Sequence, residues 1–243
     1  MDSGNRDPQT DDSVRRYFGK IYADYQDSVE KKPVAEVHQR IKAVLEPQLA
    51  GLVVDIGSGG DTRHRNPAIT TLVSVDNVVE FLKHAKDPAA INAAGDIRAL
   101  PFKGASADRI VAQFVIHHLA EDARSDTFRN VRAAVSEVAR ILKPGGKVFL
   151  IDSMAYRPLD WLQRRMYPLS RFILRRLGRP MVFIFSARSL TRMLEDSGLV
   201  RESVSVVDWG QMTDLSQALF PKLKFPLRYT PVKLTILAAT KRR

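Results

Sequence analysis

The residues of this 243-residue chain best suited to chemistry are acids and glycines set at the ends of apolar runs. Val53-Val54-Asp55-Ile56-Gly57-Ser58-Gly59-Gly60-Asp61 carries one such run straight into a glycine-rich turn introduced by an acid. Glycine at 57 and 59 admits dihedrals closed to other residues and lets backbone N–H groups come close to a ligand. A second run, Thr71-Leu72-Val73-Ser74-Val75-Asp76, ends in another acid. A carboxylate so placed can accept both hydroxyls of a ribose. Further along, His117 and His118 follow the run Ala107-Asp108-Arg109-Ile110-Val111-Ala112-Gln113. Histidine has the intrinsic pKa of a general base at neutral pH.

A glycine turn without the full dinucleotide spacing says little alone, because many surface loops carry two or three glycines. The order of the segments says more. Gly95-Asp96-Ile97-Arg98-Ala99-Leu100-Pro101-Phe102 follows the second acid, then the 107–113 run, then His117-His118-Leu119, then Val135 through Ile151 with Lys143-Pro144-Gly145-Gly146 inside it. Over roughly residues 35 to 207 and the last strand, this series resembles the class I S-adenosylmethionine-dependent methyltransferases, in particular the small-molecule type 11 branch.

The resemblance implies S-adenosyl-L-methionine as cofactor and a Rossmann-like sheet of order 3-2-1-4-5-7-6 with an antiparallel last strand. It implies that Gly57, Ser58 and Gly59 pack against the methionine and ribose parts, and that Asp76 takes the ribose hydroxyls. Asn77 would flank the adenine, Asp96 with Ile97 would read its amino edge and ring, and Gln113 would border the site. Asp55 would order the glycine turn through backbone or water contacts. For catalysis it points to His118 ahead of His117, with Tyr25 and Tyr22 on an N-terminal helix that closes over the cofactor. The sequence departs from the family at Asp61, where glycine is usual, and Asp61-Thr62-Arg63-His64-Arg65-Asn66-Pro67 is too short and polar for a full crossover helix, since proline does not suit a helix interior. Asp61 would cap a short helix, or Arg63 or His64 would serve the cofactor's carboxylate.

The elements that must position these residues follow from periodicity. Strands are expected at 52–56, 71–75, 91–94, 108–113, 147–152, 200–207 and 234–240, and helices at 14–32, 34–46 and 188–197. Val34, Val37, Ile41, Val44 and Leu45 lie at helical spacing, and Lys143-Pro144-Gly145-Gly146 ends the helix before the fifth strand. Alternating strands and helices make an α/β domain with a parallel sheet. Residues 153–185 read as a helical cap insertion broken at Pro168. Trp161, Met166, Tyr167, Phe172 and Phe183 lie in it, where the resemblance puts an acceptor pocket, and helical spacing makes most of them core.

Composition bounds the rest. Residues 14–243 fit one domain behind a polar, acidic and disordered N-terminus at 1–13. Zero cysteines exclude disulfides and thiolate metal sites and suit a reducing cytoplasm, and no apolar run reaches the roughly 20 residues of a membrane span. A net charge of +11 attracts an anionic partner, and between Arg157 and Arg192 the arginines face only Asp160 as an acid. The expected function is methyl transfer to a small apolar or amphipathic acceptor, with peripheral contact to anionic membrane compatible with it. An RNA methyltransferase without an added RNA-binding module, and a methyltransferase fold that binds without catalysis, are the alternatives.

Overall fold

Long apolar runs flanked by helices dictate a sheet covered on both faces, and the computed structural model, which describes residues 32–59, 64–85, 87–207 and 231–243, has one. Its strands are β1 (Gly51–Ile56), β2 (Ile69–Asp76), β3 (Ala90–Ala94), β4 (Ala107–Gln113), β5 (Leu142–Ala155), β6 (Leu199–Val206) and β7 (Val232–Lys241). They form a single sheet in the order β3-β2-β1-β4-β5-β7-β6, the order expected. β1 to β5 pair in parallel, and β7 runs antiparallel to both β5 and β6.

Strand residues alternate between two cores. Val54, Ile56, Ile110, Val148 and Leu150 join one core with Val131, Val135 and Val138 of α3 (Arg124–Ile141). Val53, Val111, Phe149 and Ile151 join the other with Val37, Ile41 and Leu45 of α1 (Lys32–Leu45). Each such buried side chain stabilises the fold by about 1.5–3 kcal/mol. The remaining helices are α2 (Val79–Lys83), α4 (Arg157–Arg165), α5 (Tyr167–Arg176) and α6 (Ala187–Asp196), with 3-10 turns at Glu46–Gln48 and Ile116–Leu119. Ser186 caps α6 by accepting the Ser189 backbone N–H at 3.3 Å.

The boundaries depart from expectation in three places. β5 begins at Leu142, which pairs with Ala107 before the register shifts and Arg109 meets Lys147, so Lys143-Pro144-Gly145-Gly146 is carried inside the strand as an irregularity. The insertion breaks at Met166, because Pro168 sits in the first turn of α5, where no backbone N–H is needed. Of the five aromatic and sulfur side chains singled out in the insertion, Tyr167 and Phe183 are buried, whereas Trp161, Met166 and Phe172 are exposed. Between β1 and β2 no helix occurs among the described residues, and a turn with Ile69 N–H donating to the Asn66 carbonyl leads into β2. Asp61, Arg63, Tyr22, Tyr25, the N-terminal stretch 1–13 and the connection 208–230 lie outside the described residues.

Candidate active site at the strand ends

In an open parallel sheet, loops leaving the carboxyl ends of the strands diverge at the point where strand order reverses and leave a crevice there. Here that point lies between β1 and β4. The turn after β1 is tied to β2: Gly57 N–H donates to the Val75 carbonyl at 2.7 Å, and the Ser58 and Ser74 hydroxyls lie 2.5 Å apart. Gly57 has φ of +71°, and a Cβ there would stand 2.2 Å from Val115 Cγ2, so a side chain would both strain the turn and push away the loop after β4.

Asp76 ends β2 and is the hub of this turn. Its Oδ2 accepts the Gly59 N–H at 3.1 Å and its Oδ1 the Val78 N–H at 2.8 Å. Its own carbonyl accepts the Gly95 N–H at 3.0 Å, which brings the Gly95-Asp96 turn alongside. Burial holds the Asp76 carboxyl above the usual range, opposed by the N–H groups of Val78, Gly59 and Asn77, with the Asp55 charge adding to the rise. A carboxylate has about four acceptor positions, so these donors leave capacity over for a ligand hydroxyl.

Asp55, near the end of β1, meets His64. Its Oδ2 lies 3.2 Å from His64 Nε2, both side chains are buried, and its Oδ1 has no partner among the described residues. His64 Nδ1, on the other side of the ring, is buried without a partner among the described residues. Asp96 is held by Arg98, whose Nε lies 3.0 Å from each carboxylate oxygen and whose backbone N–H donates to Oδ1 at 2.8 Å. Ile97 packs into the core with Val73 and Val75, and Asn77 is half-buried. Gln113 Nε2 lies 3.0 Å from His38 Nδ1, which ties α1 to the end of β4. The structure thus brings Gly57, Ser58, Gly59, Asp76 and Asp96 together around one crevice, with Asp55 and Gln113 on adjacent strand ends.

The histidines separate. His117 Nδ1 lies 2.7 Å from Asp152 Oδ1, and its backbone N–H donates to Asp152 Oδ2 at 3.2 Å. Asp152 is 3% exposed at its side chain and His117 18%, so a buried carboxylate orients a ring that solvent and ligands still reach. His118 lies against it, ring centroids 3.9 Å apart, with Nδ1 enclosed. Burial, helped by His117, holds the His118 pKa well below the usual histidine range. His117 thus has a ring oriented by a carboxylate, whereas the His118 ring, which the resemblance put ahead of it, has no such contact to Asp152. Sequence reasoning missed Asp152, although an acid directly after the apolar run Val148-Phe149-Leu150-Ile151 was its signal. It also missed His38 and Phe114, whose φ of +56° bends the chain at the end of β4.

Residues 54–150 match the methyltransferase domain family. This region is a methyltransferase domain. The chain is 29% identical over 189 residues to the uncharacterized methyltransferase YcgJ of Bacillus subtilis (strain 168), covering 73% of this chain and 62% of that relative, so it spans less than two thirds of the relative's length. The crystal structure of YcgJ superposes with a TM-score of 0.53 at 19% identity, over 85% of this chain and 99% of that one. The 1,6-didemethyltoxoflavin-N1-methyltransferase of Burkholderia thailandensis, solved with its 1,6-didemethyltoxoflavin and S-adenosylhomocysteine, superposes at 0.61 with 14% identity, over 100% of this chain and 94% of that one. The geranyl diphosphate C-methyltransferase of Streptomyces coelicolor, solved with Mg2+, geranyl diphosphate and S-adenosyl-L-homocysteine, superposes at 0.58 with 16% identity, over 85% and 79%. At these identities the likeness carries the fold. Among the described residues no group of three or more His, Asp or Glu side chains could hold a metal ion.

Proposed function

We propose that this protein is a methyltransferase that takes its methyl group from S-adenosylmethionine and passes it to a small, apolar or amphipathic acceptor bearing an ionisable hydroxyl. The observation that supports it most is the placing, at the carboxyl ends of the parallel strands, of a buried acid with acceptor capacity to spare, Asp76, and an oriented, reachable base, His117. Asp76 would hold the ribose, and the turn Gly57-Ser58-Gly59 would line the rest of the cofactor with backbone.

When bound, the cofactor supplies an electrophilic methyl group. The chain's own work is to align the acceptor, exclude water and move one proton. With Asp152 accepting from Nδ1–H, His117 is held in the tautomer whose Nε2 lone pair is free to take the acceptor's hydroxyl proton. The imidazolium that results stands beside the Asp152 carboxylate, which stabilises it. Absence of cysteine fits a reducing cytoplasm as the place of action. An RNA acceptor is the weaker reading, since Arg98, the cation beside the turn, is already paired with Asp96.

The test is incubation with S-adenosylmethionine and a panel of apolar phenols, carboxylic acids and amines, read as S-adenosylhomocysteine formed. A hydroxyl acceptor should give turnover that His117→Ala lowers by roughly a hundredfold while cofactor affinity stays near that of the parent. Equal rates in the folded variant would remove His117 as base, and no binding of either cofactor form would remove the proposed function.

A further inference from the structure

α4 and α5 are amphipathic in the reverse sense to a helix packed on a core. Their inward side is polar. Asp160 is 4% exposed, and its carboxylate accepts from Arg164 Nε at 2.6 Å, the Ser186 hydroxyl at 2.5 Å and the Ser189 hydroxyl at 2.6 Å. The Tyr167 hydroxyl donates to the Glu121 carbonyl at 2.6 Å and lies 2.5 Å from the Thr127 hydroxyl of α3. Arg171 and Arg175 reach Asp122.

Their outward side is apolar. Trp161, Leu162, Met166, Leu169, Phe172, Ile173 and Leu177 are all exposed, from 39% at Met166 to 66% at Trp161. Leu162 and Met166, then Leu169, Ile173 and Leu177, step by three or four on either side of the break at Met166, with Trp161 and Phe172 beside them. Exposed apolar residues scattered singly need no explanation, but a contiguous stripe marks an interaction surface. Among the described residues Arg157, Arg165, Arg176 and Arg179 pair with no acid, and the Arg176 guanidinium lies over the Phe172 ring at 5.0 Å.

We infer that α4 and α5 dock the protein on an anionic lipid surface, the apolar stripe entering the boundary between headgroups and acyl chains while the unpaired arginines meet the headgroups. A second copy of the chain is a poor occupant, because an isologous contact would set these arginines against their own equivalents, and the acid that α4 and α5 carry, Asp160, is buried. Docking of this kind needs no spanning segment, and no described helix is long and apolar enough to cross a membrane. The inference is independent of methyl transfer.

Flotation of the full chain with phosphatidylcholine vesicles, alone or mixed with phosphatidylglycerol, tests it. The parent should float with the anionic vesicles only, and less as salt rises. Replacing Arg165, Arg176 and Arg179 together by Gln should lower partitioning by about a hundredfold, at roughly fivefold per arginine. Trp161→Gln with Phe172→Gln should lower it by about tenfold or more. Arg164 is excluded from the set because it supports Asp160. No flotation with anionic vesicles, or flotation untouched by both variants, overturns the inference. So does light scattering that shows a dimer lost in the aromatic variant, which would assign the face to a second copy. A lower melting temperature in that variant, with a parent that ignores vesicles, would assign it to the chain itself and overturn the inference equally.

Discussion

Asp76 and Asp160 are both buried carboxyls, 7% and 4% exposed, yet their environments move them in opposite directions. At Asp76 burial prevails over three backbone donors and the carboxyl is raised. At Asp160 burial is again the largest single influence and raises it, but Arg164, Ser186 and Ser189 together outweigh burial and the carboxyl is lowered. The strand-end crevice thus keeps a carboxylate incompletely satisfied, whereas the root of the insertion satisfies one completely. Burial of an acid does not by itself mark a ligand site. Acceptor capacity left over makes a candidate, and by that criterion the crevice is the candidate ligand site while Asp160 is a structural tether that lets α4 and α5 show an apolar face to the outside.

The largest way to break this comparison is Asp160→Ala. It leaves Arg164 and two serine hydroxyls without their acceptor and should cost about 2–4 kcal/mol of stability in chemical denaturation. A loss within experimental error would show that the insertion is held by something other than this tether. Gly57→Ala should cost about 2–3 kcal/mol, from a side chain forced to positive φ and a Cβ driven against Val115. Its cost should appear with weakened binding of S-adenosylhomocysteine, and a variant with parental stability and affinity would show that the turn does not need bare backbone.

Acid titration sharpens the contrast further. The folded pKa of His118 is depressed, so below about 6.5 the unfolded chain takes up a proton that the folded chain refuses. The stability it contributes is present above about 6.5 and is lost as pH falls towards the folded value, at up to about 1.4 kcal/mol per pH unit. His118→Gln should remove that part of the slope, and an unchanged slope would place the acid sensitivity elsewhere. The smallest expected effect belongs to the apolar stripe: Trp161→Gln and Phe172→Gln should each change stability by less than about 0.5 kcal/mol, as for exposed positions. A larger loss would mean that part of the chain covers them.

Much of this was legible in the sequence. Apolar runs with turn residues at their ends specified the seven strands and, through the resemblance, their order. The glycine turn and the acid ending β2 were legible because each is a local pattern. What was not legible depends on meetings between distant elements. Asp152 reaches His117 across 35 positions, and that contact orients the His117 ring. His64 turns inward to Asp55 for a reason no local pattern shows. In the insertion, helical spacing revealed two faces but not which one points in. That is decided by partners on other elements, Ser186 and Ser189 for Asp160 and Thr127 for Tyr167, and it turned Arg164 from an apparent surface cation into a support.

The cofactor site is tested most directly by isothermal titration of S-adenosylhomocysteine into the parent and into Asp76→Asn, with the folding of each verified by its thermal melt. The parent should bind, and the variant, which loses the charge on the ribose bonds and sets an amide NH2 against one of the backbone N–H groups of the turn, should bind roughly tenfold to a hundredfold more weakly. A folded parent that does not bind, or a folded Asp76→Asn that binds as tightly as the parent, would contradict the placement of the cofactor at the end of β2.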